Sequence, residues 1–252
     1  MDSINRRDLI RNVVLGTAGI AAGGLLSACS GGAQTNPGSQ APASDAVEEK
    51  IAQPTYVHDA SKDSNFEVMP ESKTTVGTTY ENLLTALAGE TGAKTKYLAY
   101  SEVARKEGFD QIARLFAITA DAEQIHIDLE FELAKKIDAS AKLPEPPLVD
   151  KHGTGVNLIL GANGEIYETS DMYPAFTKRA QDEGNKEAVQ VFMRAKLAEA
   201  YHAELYLDAY NIIDAPDDAT YYLCPICGFI HKGDEFLACP ICFQPKENFK
   251  AY

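Results

Sequence analysis

Glu123 and His126 stand three residues apart, and so do Glu199 and His202. On a helix, positions i and i+3 lie on one face about a turn apart. Each pair therefore offers one carboxylate and one imidazole to a single metal ion. Two such pairs from two helices, with glutamates from two more, make the ligand set of a four-helix di-iron carboxylate site. A second set lies near the C-terminus: Cys224 and Cys227, then eleven residues, then Cys239 and Cys242. Two chelating C-x-x-C loops close a tetrahedral thiolate site suited to iron or zinc. Spacing does not separate those two metals, and a pair of disulfides is the competing reading if the chain reaches an oxidising compartment.

These residues need helices to bring them together. From Thr78 onward the chain carries four stripes with 3-4 spacing: Leu83, Ala86, Glu90, Ala93, Tyr97; Ile112, Phe116, Thr119, Glu123, His126, Glu130; Leu158, Gly161, Glu165, Glu168, Met172; and Phe192, Ala195, Glu199, His202, Tyr206. Each reads as an amphipathic helix. Each stripe is interrupted by carboxylates where a plain core would hold leucine. Burying an unpaired carboxylate is expensive, whereas burying several around a cation is not. Gly108 and Glu183-Gly184-Asn185 separate helices one from two and three from four. A longer Pro/Gly-bearing stretch, about 139–155, joins helices two and three, as in a bundle with one long crossover. Pro174 is expected to kink the third helix about two turns beyond Glu168.

The chain has 252 residues, 45% of them hydrophobic and 24% charged, with a formal net charge of −14. This balance suits a globular protein and argues against a nucleic-acid partner, which needs a basic surface. Arg6-Arg7 precede a Gly/Ala-rich apolar run from about Val13 to Leu26 that is short for a membrane span. The paired arginines resemble a twin-arginine export signal. Leu26-Ser27-Ala28-Cys29 resembles a bacterial lipobox, which would make Cys29 the lipidated residue. Residues 30–54 are rich in Gly, Ser, Ala, Gln and Pro and read as a flexible tether with a reach of about 25–30 Å. The expected organisation is a signal peptide over 1–28, tether and lead-in over 29–76, a di-iron bundle over 77–215 and a small cysteine-stapled unit over 216–252.

Leu87-Ala-Gly-Glu90 with Tyr97, Thr119-Ala-Asp-Ala-Glu123-Gln-Ile-His126, and Gly164-Glu165-Ile-Tyr-Glu168 with Asp171-Met-Tyr-Pro174 resemble the rubrerythrins. The likeness runs from about Thr79 to the C-terminus. It implies a mainly α protein: a ferritin-like four-helix bundle followed by a small rubredoxin-like metal-binding domain. It also implies two irons on Glu90, Glu123, His126, Glu165, Glu168, Glu199 and His202, and one iron on the four cysteines, with Glu168 a ligand in the diferric state and His126 in the diferrous state. By the same resemblance Tyr97 and Tyr173 hydrogen-bond the site. The tail of one subunit approaches the di-iron site of another, in a homodimer. Thr91-Gly92 departs from the family pattern, and the glycine is expected to widen a cavity near Glu90. Phe243 stands where the family has a small residue, and Gly228 is expected to let backbone N–H groups approach sulfur.

The expected activity is reduction of hydrogen peroxide to water, with the cysteine-bound iron returning electrons from a donor the sequence does not name. An iron-oxidising or iron-handling protein, and a non-enzymatic electron carrier or metal-binding lipoprotein with zinc in its tail, are the alternatives. The expected location is the outer side of the cytoplasmic membrane or the periplasm, touching the membrane only through its lipid.

Overall fold

The computed structural model describes residues 72, 74–215 and 217–252. Arg6, Arg7, Cys29, the tether and Pro216 lie outside the described residues. Among the described residues no helix is long and apolar enough to cross a membrane.

Helix α1 spans Thr79–Lys106. Thr78 caps it by accepting from the Glu81 N–H while Glu81 reaches back to the Thr78 N–H, a capping box that satisfies two otherwise orphaned donors. Gly108, at φ 84°, turns the chain into α2, Asp110–Ile137. Residues 138–153 form the crossover. Helix α3 then covers Thr154–Tyr167, a π-helical segment Glu168–Met172 follows, and α4 covers Tyr173–Asp182. These three pieces make the expected third rod. The expected kink is a π turn that begins at Glu168 and ends before Pro174. Proline has no N–H to return to the carbonyl four residues back, and the wider turn dispenses with that bond. Asn185 caps α5, Lys186–Asn211, by accepting from the Ala188 N–H.

The rods pack as two hairpins, α1 with α2 and α3–α4 with α5. Their buried faces form two apolar clusters. One holds Tyr97, Tyr100, Phe116, Leu158 and Tyr206. The other holds Leu83, Leu87, Tyr173, Phe176 and Phe192. Along every rod the carboxylate and histidine positions fall between these clusters. Gly161 leaves room for Tyr206: a Cβ there would meet its ring at 3.0 Å.

The tail is a three-stranded antiparallel sheet of order β2-β1-β3, with β1 Tyr221–Leu223, β2 Ile230–Lys232 and β3 Lys250–Ala251. Its own core is Phe229 and the cysteines. Tyr221, Leu223 and Ile230 are buried in the first bundle cluster, so the tail is docked on the bundle by apolar contact. Polar contacts flank them. Gln111 donates to the Ala219 carbonyl at 3.0 Å, and Lys250 pairs with Asp121 at 3.0 Å.

Candidate metal centres

Six side chains meet between the two apolar clusters, and all are essentially inaccessible: Glu90, Glu123, Glu165, Glu199 and His202 at 0% and His126 at 1% exposure. They divide into two ligand groups, Glu90/Glu123/His126/Glu199 and Glu123/Glu165/Glu199/His202, whose donor atoms lie within 4.8 Å of one another in each group. Glu123 and Glu199 belong to both. Glu199 sends Oε1 to 2.6 Å from His126 Nδ1 and Oε2 to 2.6 Å from His202 Nδ1. Glu123 divides its oxygens the same way, at 3.1 Å from His126 Nδ1 and 4.0 Å from His202 Nδ1. Glu90 lies only on the His126 side, at 3.9 Å, and Glu165 on the His202 side, at 3.7 Å. Two bridging carboxylates and one terminal carboxylate and imidazole per side is a two-metal arrangement.

The tautomers agree. His126 Nε2–H donates to the Cys227 carbonyl at 3.0 Å, and His202 Nε2–H donates to the Gly228 carbonyl at 2.9 Å. A carbonyl only accepts, so the proton sits on Nε2 and the Nδ1 lone pair faces the carboxylates. Lone pair would then meet lone pair unless a cation, or in its absence a proton, lay between them. The orphaned atoms point the same way: Glu90 Oε2, Glu123 Oε1, Glu165 Oε2, both Glu199 oxygens and His202 Nδ1 are buried without a hydrogen-bond partner. Orphaned buried polar atoms are rare unless something absent satisfies them.

The electrostatics express the same need for positive charge. Burial, then Glu199 and its neighbours, pushes Glu123 well above the usual carboxylate range, and burial with Glu199 pushes Glu165 up to about 8. Burial opposes charging of the histidines, but Glu199 outweighs it and raises both. Burial would raise Glu199, yet His126 and His202 hold it below its ordinary value. Carboxylates that retain protons and histidines that gain them are a cluster lacking its cations.

Glu168 falls outside both groups, although it is 7% exposed and its Oε2 has no partner. It lines a cavity beside Tyr97. His126 thus stands among the clustered ligands and Glu168 apart from them. Tyr97 donates to Glu165 and Tyr173 to Glu90, as expected. Tyr173 also faces Glu130 Oε1 at 2.9 Å. Glu130, fully buried, went unrecognised in the sequence as part of the site, although it sits in the α2 stripe one turn beyond His126. Gly92 does widen a cavity, but on the Glu168 side.

The tail cysteines are free thiols. Their sulfurs approach at 3.4 Å for Cys224–Cys242 and 3.5 Å for Cys227–Cys239, far beyond the roughly 2.05 Å of a disulfide. All four cluster within 4.8 Å, close to the edge of about 3.8 Å of a tetrahedron with metal–sulfur bonds of about 2.3 Å. Thiol donors from Cys224 and Cys227, then the N–H groups of Cys242 and Ile241, bring Cys239 down to about 2, while the neighbouring sulfurs and burial raise Cys224 to about 12 and push Cys227 up as well, so without a cation the cluster carries one thiolate among thiols. The Gly228 N–H goes to the Cys224 carbonyl at 3.2 Å, not to sulfur. The glycine has a different reason: φ is 75°, and a Cβ would meet His126 Nε2 at 2.5 Å. Within this one chain the tail reaches the di-iron ligands through the Cys227 and Gly228 carbonyls.

Residues 81–210 match the family model described as Rubrerythrin, and 222–250 match the model for the rubrerythrin rubredoxin-like domain. The chain is 58% identical over 189 residues to nigerythrin of Nitratidesulfovibrio vulgaris, covering 75% of this chain and 94% of that one. It is 37% identical over 180 residues to rubrerythrin of the same organism, covering 68% and 93%. The solved structure of fully reduced, all-ferrous nigerythrin superposes with a TM-score of 0.73 at 56% identity, over 79% of this chain and 98% of that one. With the ligand groups on both halves in place, the chain belongs to the rubrerythrin family and carries its di-iron carboxylate site and its four-cysteine iron site.

Proposed function

We propose that this chain reduces hydrogen peroxide to water and is refilled with electrons through its cysteine-bound iron. The observation that supports this most is the pair of bonds from His126 and His202 to the Cys227 and Gly228 carbonyls. Cys227 is itself a member of the sulfur cluster. One side chain and one hydrogen bond therefore link a sulfur donor to His126. A storage or iron-oxidising protein has no need of that link.

Breaking the O–O bond takes two electrons and two protons, and two ferrous ions supply one electron each when bound. The protein's part is to hold and protect. Glu123 and Glu199, shared by both ligand groups, would hold the two ions, and the carbonyls fix both imidazole tautomers. Tyr97 and Tyr173 hold Glu165 and Glu90 through their hydroxyls. The apolar clusters on either side exclude water from the ligand layer. Mixing the anaerobically reduced protein with one equivalent of peroxide should oxidise it far faster than air does, as followed in the visible spectrum. Oxidation no faster than an iron-loaded control ferritin-like bundle would reject the reading.

We also propose export, lipidation at Cys29 and a homodimer. Mass spectrometry of the native N-terminus and sedimentation of the purified protein test them. An unprocessed Met1 terminus would reject export, and a monomer at micromolar concentration would reject the dimer.

A further inference from the structure

A cavity of about 600 Å³ opens between α1, the crossover and α3. Its rim is exposed, with Leu148, Leu160 and Tyr167 among the residues there. Its floor is buried Ala93, Tyr97, Tyr100 and Glu168. Small residues make the space. A Cβ at Gly92 would meet only Pro147, at 3.7 Å, and one at Gly89 only Glu168 Oε1, at 3.6 Å. Hydrogen peroxide does not need such room. A water's share of liquid is about 30 Å³, so a molecule of two oxygens would fill about a tenth of it. The size and the largely apolar lining with a few polar groups are those of a small-molecule site. The polar group at its floor is Glu168, more than nine-tenths buried, with Oε2 lacking any partner.

We propose that this cavity binds organic hydroperoxides, with the carbon chain against Gly89, Gly92, Ala93 and Leu160 and the peroxy group at the floor beside Glu168. This rests on the peroxide-reductase reading and names a substrate class for it. In the reaction the O–O bond breaks, the hydroperoxide takes up two electrons and two protons, and an alcohol and a water leave. The electrons are those the di-iron site supplies in that reading, and the protons come from solvent at the open rim.

The test uses the full iron-loaded protein with cumene hydroperoxide and hydrogen peroxide as oxidants. The unreactive alcohol 2-phenyl-2-propanol serves as a binding probe, read by calorimetry. Gly92→Leu fills the cavity from α1, and Leu160→Trp fills it from α3 at a half-exposed position that does not endanger folding. Wild type should bind the alcohol, and both variants should lose that binding. In single turnover of reduced protein, each should lower the rate for cumene hydroperoxide relative to hydrogen peroxide by about tenfold or more, the scale at which apolar pockets discriminate. No heat with wild type, or an unchanged ratio in folded variants, overturns the proposal. Failure of both peroxides to oxidise wild type would overturn the reductase reading instead, and alcohol binding would then decide the cavity alone.

Discussion

A phenol has one proton to give, and Tyr173 faces two carboxyls, Glu90 and Glu130. Both contacts are satisfied together only if one carboxyl keeps a proton and donates it to the tyrosine oxygen. Burial, then Glu90, pushes Glu130 well above the usual carboxylate range. The retained proton therefore belongs to Glu130, and Tyr173 gives its own to Glu90. Glu130 is in neither ligand group. Glu130→Leu should therefore keep full iron content by metal analysis, while Glu90→Leu loses iron from the bundle. Replacing a buried carboxyl with an apolar side chain should also stabilise the metal-free protein by about 1 kcal/mol in denaturant titration. A different residue-scale cost sits at Phe243, the one non-glycine residue with positive φ among the described residues, at 61° and 80% exposed. It buries little, so Phe243→Gly should relieve about 1 kcal/mol of left-handed strain. The rise would be read as later loss of the thiolate–iron absorbance on heating. At this scale the ligands were legible because a carboxylate in an apolar stripe is conspicuous. Glu130 was equally conspicuous, but its i+4 spacing from His126 matched no ligand motif, and only the Tyr173 contact gives it a role.

Among the elements, the knuckle after Cys227 controls how the two centres meet. Gly228 combines a left-handed backbone with direct contact on His126, so Gly228→Ala costs about 1–2 kcal/mol in backbone alone and adds a clash at 2.5 Å. The variant should keep both metal sites: the four cysteines are untouched, and the knuckle yields away from His126, which Glu123 and Glu199 hold at 3.1 and 2.6 Å. Its peroxide oxidation step should persist, while re-reduction of the bundle by the tail slows, seen as a lag between the red thiolate-iron signal and the di-iron signal in stopped flow. Equal re-reduction rates in variant and wild type would remove the carbonyl–histidine bonds from the electron path. The rods themselves were readable from 3-4 spacing and from Gly108 because those are local signals. The π turn was not, because the sequence shows Pro174 but not which register the preceding carbonyls adopt. Docking of the tail was hidden for a stronger reason: Tyr221, Leu223 and Ile230 read as a short strand pattern, and nothing local says which surface covers them.

The whole molecule is a fold built around charge that only metal neutralises. Metal-free, the bundle retains protons the unfolded chain would release: Glu165 titrates at about 8 against an ordinary 4.5, Glu123 and Glu168 are raised in the same direction, and so are His126 and His202. A group that binds its proton more tightly in the folded state gives stability that is full below its unfolded pKa and is lost as pH rises through its folded one. Glu199 works the other way, but its loss lies on the acid side of 4.5. The melting temperature of chelated protein should therefore fall steadily from about pH 4.5 to about pH 8, on the order of 1 kcal/mol per pH unit for each retained proton. Iron-loaded protein should show the opposite slope at the acid end of that range, because the ions need carboxylates and lose to protons there. The two curves would diverge with rising pH. Parallel curves in calorimetry would mean that the six buried ligands are held by their own hydrogen bonds, and the case for a two-metal centre built from charge complementarity would fail with them.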